Sequence, residues 1–358
     1  MLSALSLCAA LLIQPSSHFD RRSALLGGAF ALTSPQATHA ADAAIPDTWT
    51  LSGGVKFPTL ALNTAGLSAG ASATAFRKAL AAGITHVDFH PGIERDGVAA
   101  VLKGKDAPTR SSVFLTTKIE FAKKGASPEE AAEATRRQID EDLGVLGVDS
   151  VDMLMLRDSL SCDVTAAQWA VLEKAKAAGR TRSLGVINFC EGSLKCLLRT
   201  ASEKPSVNYF QQHIGMGPDP KGLRSFGESK GIRTFAYGAL GEPGPSDELL
   251  ASPVLKRIGA AHGGKLPEEV ALRWALQGGA AVSIRPTADF GLGRSACAEA
   301  SAACADGLAR RAAARGWALT RAEMEELDAL TSPASNPTLF STTGCPDSFF
   351  AGKPFGPG

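Results

Sequence analysis

Tyrosine is the scarcest reactive side chain here: two phenols, Tyr209 and Tyr237, stand in 358 residues that hold 16 Phe. A mechanism that needs a phenolic acid must draw on one of those two. An excess of either charge is also missing, with 37 basic against 36 acidic residues, so the chain offers no electrostatic footprint for a nucleic acid or an anionic membrane. The seven cysteines lack paired C-x-x-C spacing, which leaves no zinc pattern, and no metal is expected. No G-x-G-x-x-G follows the first apolar run, which argues against the dinucleotide-binding form of a doubly wound sheet. What is present, 44% hydrophobic and 20% charged residues, is ordinary for a soluble globular protein with a sizeable core and excludes disorder and coiled coil.

Residues 1–43 read as a targeting leader. Leu2 to Ile13 is apolar with Ser, and a second apolar run over 24–32 follows Arg21-Arg22 and precedes the small residues Thr38-His39-Ala40 and Ala41-Asp42-Ala43. Neither run is long enough to span a bilayer, and a twin arginine before such a run is a Tat-type signal. Two hydrophobic segments in series, with no acidic residue before Asp20, point to layered targeting into a plastid and then its thylakoid lumen. The alternative is one bacterial signal that sends the protein to the periplasm or outside the cell. No later segment is apolar enough to be transmembrane. Cys8 goes with the leader, and the other cysteines are expected mainly as isolated buried thiols, with disulfides open in an oxidising compartment.

After the leader, short apolar strand candidates alternate with helical patterns, and no Pro/Ser-rich linker divides them. The strand candidates cover 57–62, 85–89, 113–118, 151–156, 183–187, 207–210, 233–237 and 281–284, several apolar throughout, as strands buried on both faces should be. The clearest helix begins at the capping box Ser127-Pro128-Glu129-Glu130 and stops at Gly147. Others read over 73–82, 165–178, 193–201, 221–230 and 267–277. Eight strands alternating with helices predict an α/β fold, a single-domain (β/α)8 TIM barrel over 44–331, with a Phe/Pro/Gly-rich tail over 332–358. A doubly wound sheet is the alternative. A monomer is expected.

In such barrels the chemistry sits at the carboxyl ends of the strands. There stand Asp88, Lys118, Arg157-Asp158, Asn188, Tyr237 and Arg285, with His213 just past the sixth strand. Packing does not require a carboxylate, an ammonium and a guanidinium at one mouth. A purely structural Asp88–Lys118 ion pair is the competing reading.

The order of motifs resembles the aldo-keto reductase family over about 48–330. It rests on Gly83-Ile84-Thr85-His86-Val87-Asp88, Leu115-Thr116-Thr117-Lys118, Val151-Asp152-Met153-Leu154-Met155-Leu156 and Leu184-Gly185-Val186-Ile187-Asn188-Phe189. Pro205-Ser206-Val207-Asn208, Ala236-Tyr237-Gly238-Ala239-Leu240-Gly241 and Val270-Ala271-Leu272-Arg273-Trp274 complete it. The resemblance implies an NADP-binding barrel that moves a hydride to a carbonyl with a catalytic Asp, Tyr, Lys and His. Asp88 matches the Asp and Lys118 the Lys, but the Tyr position holds Ile93 and the His position Arg157. It also implies cofactor contacts at Thr64, Asn188, Tyr209, Tyr237, Leu240 and Arg285. Here Tyr237 matches a tyrosine that stacks on the nicotinamide, and Tyr209 a glutamine that holds its carboxamide. Asn63 stands for a glycine and Ile187 for a serine, and Arg285 matches a basic residue for the 2′-phosphate. In the family the tail closes the substrate pocket; a core-covering or disordered tail is the other reading of 332–358.

Ile93 can neither hydrogen-bond a developing oxyanion nor protonate it. Arg157 cannot deliver a proton at physiological pH but can hold a carboxylate or phosphate bidentately, and its charge favours a neutral amine on Lys118. His90 is a second proton-donor candidate, more simply a polar loop residue. His213 reads as a rim hydrogen bond, and Glu94 as a partner of Arg157 or a solvated carboxylate. Loss of a general acid costs about 10² to 10⁴ in rate and need not abolish turnover. Two expectations follow: NADPH-dependent reduction of a small carbonyl through an altered site, or an inactive barrel that binds NADP(H) or a small anionic ligand.

Overall fold

The computed structural model describes residues 45–159, 161–239, 246–286 and 302–330. The leader expected over 1–43, the tail expected over 332–358 and Leu240 lie outside the described residues.

The chain enters through an antiparallel hairpin, β1 (Thr48–Thr50) and β2 (Lys56–Pro58). Eight parallel strands follow: β3 (Leu60–Asn63), β4 (His86–Asp88), β5 (Phe114–Lys118), β6 (Val151–Arg157), β7 (Thr181–Ile187), β8 (Val207–Gln211), β9 (Arg233–Tyr237) and β10 (Ala281–Ile284). They pair in sequence order, and β10 pairs back on β3, with Ile284 opposite Leu62, so the sheet closes into a barrel without edges. The intervening helices are α1 (Ala69–Ala81), α2 (Ile93–Leu102), α3 (Pro128–Leu146), α4 (Cys162–Ala177), α5 (Glu191–Leu198) and α6 (Leu223–Ser229). They continue with α7 (Ser246–Ala251), α8 (Pro253–Ala261), α9 (Pro267–Gln277), α10 (Ala302–Ala312) and α11 (Arg321–Asp328). This is the expected (β/α)8 TIM barrel. Among the described residues no helix is long and apolar enough to cross a membrane.

The expected capping box forms at Ser127, whose hydroxyl accepts from the Glu130 N–H while the Glu130 carboxylate accepts from the Ser127 N–H, and α3 ends at Gly147 with φ 71°. Three expectations need correction. The strand expected over 57–62 is two strands broken at Thr59, whose N–H donates to the Asp47 carbonyl and whose hydroxyl donates to that of Pro46. The first half therefore belongs to the hairpin, and Phe57 plugs the base of the barrel, edge-on to Phe114, Phe235 and His86 at 5.0–5.3 Å. Helix α2 is absent from the helices expected from the sequence; its first turn holds Glu94, Arg95 and Asp96, and its apolar face, with Val98 and Val101, is short. Finally, Cys162 and Cys196 are not isolated thiols: α4 and α5 bring their Cα atoms to 5.8 Å, and a disulfide joins them. Cys190 is buried and free.

Candidate active site

Asp88 ends β4 and Lys118 ends β5, both fully buried. The Lys118 ammonium donates to Asp88 Oδ1 and, at 3.2 Å, to the Phe89 carbonyl. Asp88 Oδ2 accepts from the Tyr209 hydroxyl at 2.6 Å and from Ser283 Oγ at 2.7 Å. One carboxylate thus gathers donors from β5, β8 and β10, because side chains alternating along those strands point into the barrel lumen. Ser283 had a readable signal, as the lone polar residue of Ala281-Val282-Ser283-Ile284. Burial pushes the Lys118 amine below its ordinary pKa against the pull of Asp88, and Arg157 adds a smaller push in the same direction.

Neither tyrosine offers a free acid. Tyr209 donates its only hydroxyl hydrogen to Asp88 and accepts from Asn63 Nδ2 at 3.1 Å, and burial beside Asp88 raises its pKa well above 10. The Tyr237 hydroxyl donates to Asn188 Oδ1 at 3.0 Å, with its pKa also raised by burial. Asn188 sits in the left-handed region at φ 57°, which asparagine tolerates, and its N–H donates to the Tyr209 carbonyl at 2.9 Å.

Between Asp88 and α2 the chain makes a tight turn, Phe89-His90-Pro91-Gly92, where Gly92 adopts φ 79° and ψ −132°, a conformation that demands glycine. The turn starts the helix early, so Ile93 falls on its first residue and is 64% exposed. The next residue, Glu94, turns inward. Its carboxylate accepts from Thr64 Oγ1 at 3.0 Å, the Gly66 N–H at 2.7 Å, the His90 N–H at 3.0 Å and His90 Nδ1 at 2.9 Å. Those charge-stabilising bonds, with His90 and Lys118 nearby, hold its pKa at about 2 despite burial. Glu94 therefore pairs with His90 and not with Arg157. Thr64 is spent on holding Glu94.

Arg157 ends β6, half-buried, with its guanidinium 4.8 Å from the Phe121 ring centroid. Among the described residues it has no ion pair, and its Nε has no hydrogen-bond partner. The fields of Glu120, Glu94 and Asp88 reach it without a contact. A planar cation stacked on an aromatic face with its donors unspent suits an anionic guest. Arg285, just past β10, is buried and donates to the Ala65 carbonyl at 2.7 Å, which ties that strand end to the loop after β3. His213 is a buried rim histidine bonded to the Ile214 carbonyl, as expected. No cluster of metal-binding side chains occurs among the described residues.

A (β/α)8 barrel with a buried Asp–Lys pair and an aromatic-lined mouth defines an α/β-barrel protein built around a polar site. A sequence model described as the Aldo/keto reductase family matches residues 53–288, and the chain belongs to that family. Morphine 6-dehydrogenase of Pseudomonas putida is 30% identical over 237 residues, which are 63% of this chain and 77% of that protein. NADPH-dependent codeinone reductase 1-1 of Papaver somniferum is 26% identical over 265 residues, 66% of this chain and 79% of the relative. Among solved structures, an aldo/keto reductase from Brucella melitensis superposes with a TM-score of 0.65 at 26% identity, covering 79% of this chain and 98% of that one.

Proposed function

We propose that this chain is an NADPH-dependent oxidoreductase that reduces a small carbonyl compound bearing an anionic group, through an altered active site. The observation that carries this reading is Arg157: a half-buried guanidinium stacked on Phe121, unpaired among the described residues, beside the buried Asp88–Lys118 pair. Support for NADPH comes from the family, from the NADPH dependence of the Papaver somniferum relative, and from the donors present. Tyr237 offers an aromatic face for a nicotinamide, Asn188 an amide, and Arg285 a cation suited to a phosphate. Bound NADPH would supply the hydride. Arg157 holds the substrate's anionic group and so orients its carbonyl, while Lys118, fixed by Asp88, favours the negative charge that develops on the carbonyl oxygen. The proton comes from Lys118, His90 or water.

The second reading is a barrel without turnover that binds NADP(H) or a small anion. It is favoured by Ile93, which places an exposed hydrocarbon where the family's phenol is expected. Delivery to the thylakoid lumen remains part of the proposal, and the Cys162–Cys196 disulfide is in keeping with an oxidising compartment.

The test is a fluorescence titration of the protein with NADPH, followed by assays on aldehydes, ketones and ketoacids. Binding with turnover of the acids supports the first reading, and binding without turnover the second. Absence of binding would defeat both nucleotide versions.

A further inference from the structure

We propose that His90 and Glu94 form the proton relay of this site: Glu94 fixes the imidazole through Nδ1, and His90 Nε2 exchanges the proton with the substrate oxygen. The inference rests on the reductase reading above and deepens it.

Four observations select this pair. The other buried candidates are committed, since Lys118 donates to Asp88 and to the Phe89 carbonyl with 1% of its side chain exposed, and Tyr209 donates to Asp88. The His90 side chain, by contrast, keeps 29% of its surface open, and its Nε2 has no partner among the described residues. Glu94 is also held more firmly than a solvated loop carboxylate would be. Thr64 and Gly66 from the loop after β3, with the His90 N–H, fix its two oxygens, so Nδ1 must carry the hydrogen and Nε2 is the atom left to act. A carboxylate that orients an imidazole by its far nitrogen is the usual means of making histidine a directional acid or base. Finally, His90 lies within electrostatic reach of both Lys118 and Arg157, the two cations of the mouth.

In reduction, bound NADPH would supply the hydride and become NADP+, while protonated His90 gives its Nε2 proton to the substrate oxygen. The ring ends neutral and is reprotonated from solvent at its open edge. In oxidation of the alcohol, the neutral Nε2 lone pair takes the hydroxyl proton, and bound NADP+ would accept the hydride. The groups acting on His90 are Glu94 from α2, which raises its pKa, and Lys118 on β5 and Arg157 on β6, which lower it together with burial. The net direction is below 6.5, so the neutral ring dominates at pH 7. Oxidation should then fall on acidification through the His90 pKa, and reduction should rise.

The experiment compares wild type, His90→Gln, His90→Ala and Glu94→Gln for NADPH affinity and for kcat/KM against pH in both directions. His90→Gln should bind NADPH as wild type does, lose turnover by about 10²- to 10⁴-fold and lose the acid limb, and added imidazole should partly restore His90→Ala. Glu94→Gln keeps an acceptor for Nδ1–H but removes the charge that raises the pKa, so its limb should move to lower pH. Nitrogen NMR of the cofactor-free protein should show His90 as the Nδ1–H tautomer, a readout independent of turnover. Wild-type turnover that His90→Gln retains with an unchanged pH profile would overturn the relay alone. Wild-type protein that turns over no carbonyl or alcohol would overturn the reductase reading, and the relay with it.

Discussion

The Tyr209 hydroxyl donates to Asp88 Oδ2 at 2.6 Å and accepts from Asn63 at 3.1 Å, so a buried polar chain runs from Asn63 through the phenol to Asp88 at the mouth of the barrel. The residues in place of a family glycine and glutamine thus bond to each other, and one of them to the retained aspartate. A phenol reaches the Asp–Lys pair in this protein, but its one hydrogen is committed inward.

The first consequence concerns Tyr209→Phe. Removing a hydrogen bond to a buried carboxylate should cost about 1.5–3 kcal/mol in urea unfolding. If the proton passes elsewhere, kcat should stay within about tenfold of wild type, because a lost general acid costs about 10² or more. A larger loss would return the acid role to this phenol.

Acid should weaken the fold before any carboxylate titrates. Burial pushes His86, wedged among Phe57, Phe114 and Phe235, and His213 down to about 4 from 6.5. The unfolded chain takes up these protons first, so stability present above about pH 6.5 drains away as pH falls towards about 4, on the order of 3 kcal/mol per histidine. Glu94, held at about 2, adds a further loss between about pH 4.5 and 2. Urea midpoints at about pH 7 and pH 5 check this; equal stability at the two would mean that neither ring is buried neutral.

The Cys162–Cys196 bond spans 34 positions, enclosing all of α4, all of β7 and most of α5. Closing a loop of that length limits the unfolded chain and should contribute about 3–4 kcal/mol. Cys162→Ser, or reductant on the wild type, should lower the unfolding midpoint accordingly. A midpoint indifferent to reductant would show that the bond is absent in solution.

Much of the barrel was legible because its strands are short apolar runs at regular spacing, and Asp88 and Lys118 were legible because their charges end such runs. The entry hairpin was not: the apolar run over 57–62 continues through Thr59, and only the carbonyls of Pro46 and Asp47 break it. Helix α2 was hidden by Glu94, Arg95 and Asp96, of which two face inward. The bond between Glu94 and His90 could be imagined from their spacing. Thr64 and Gly66 stand 30 and 28 residues from Glu94, and only the closed barrel brings them to it. The disulfide is a matter of how two outer helices meet, which spacing alone cannot give.

The proposed role of Arg157, to anchor the anionic group of a carbonyl substrate, can be read from substrate preference. Its most direct measurement is the ratio of kcat/KM for a ketoacid to that for its uncharged ester, in wild type and in Arg157→Met. A charge-assisted contact is worth about 1.5–3 kcal/mol, so the wild type should prefer the acid and the variant should lose about 10- to 150-fold of that preference. An unchanged ratio, or no turnover of either compound by the wild type, would overturn the anchoring role of Arg157.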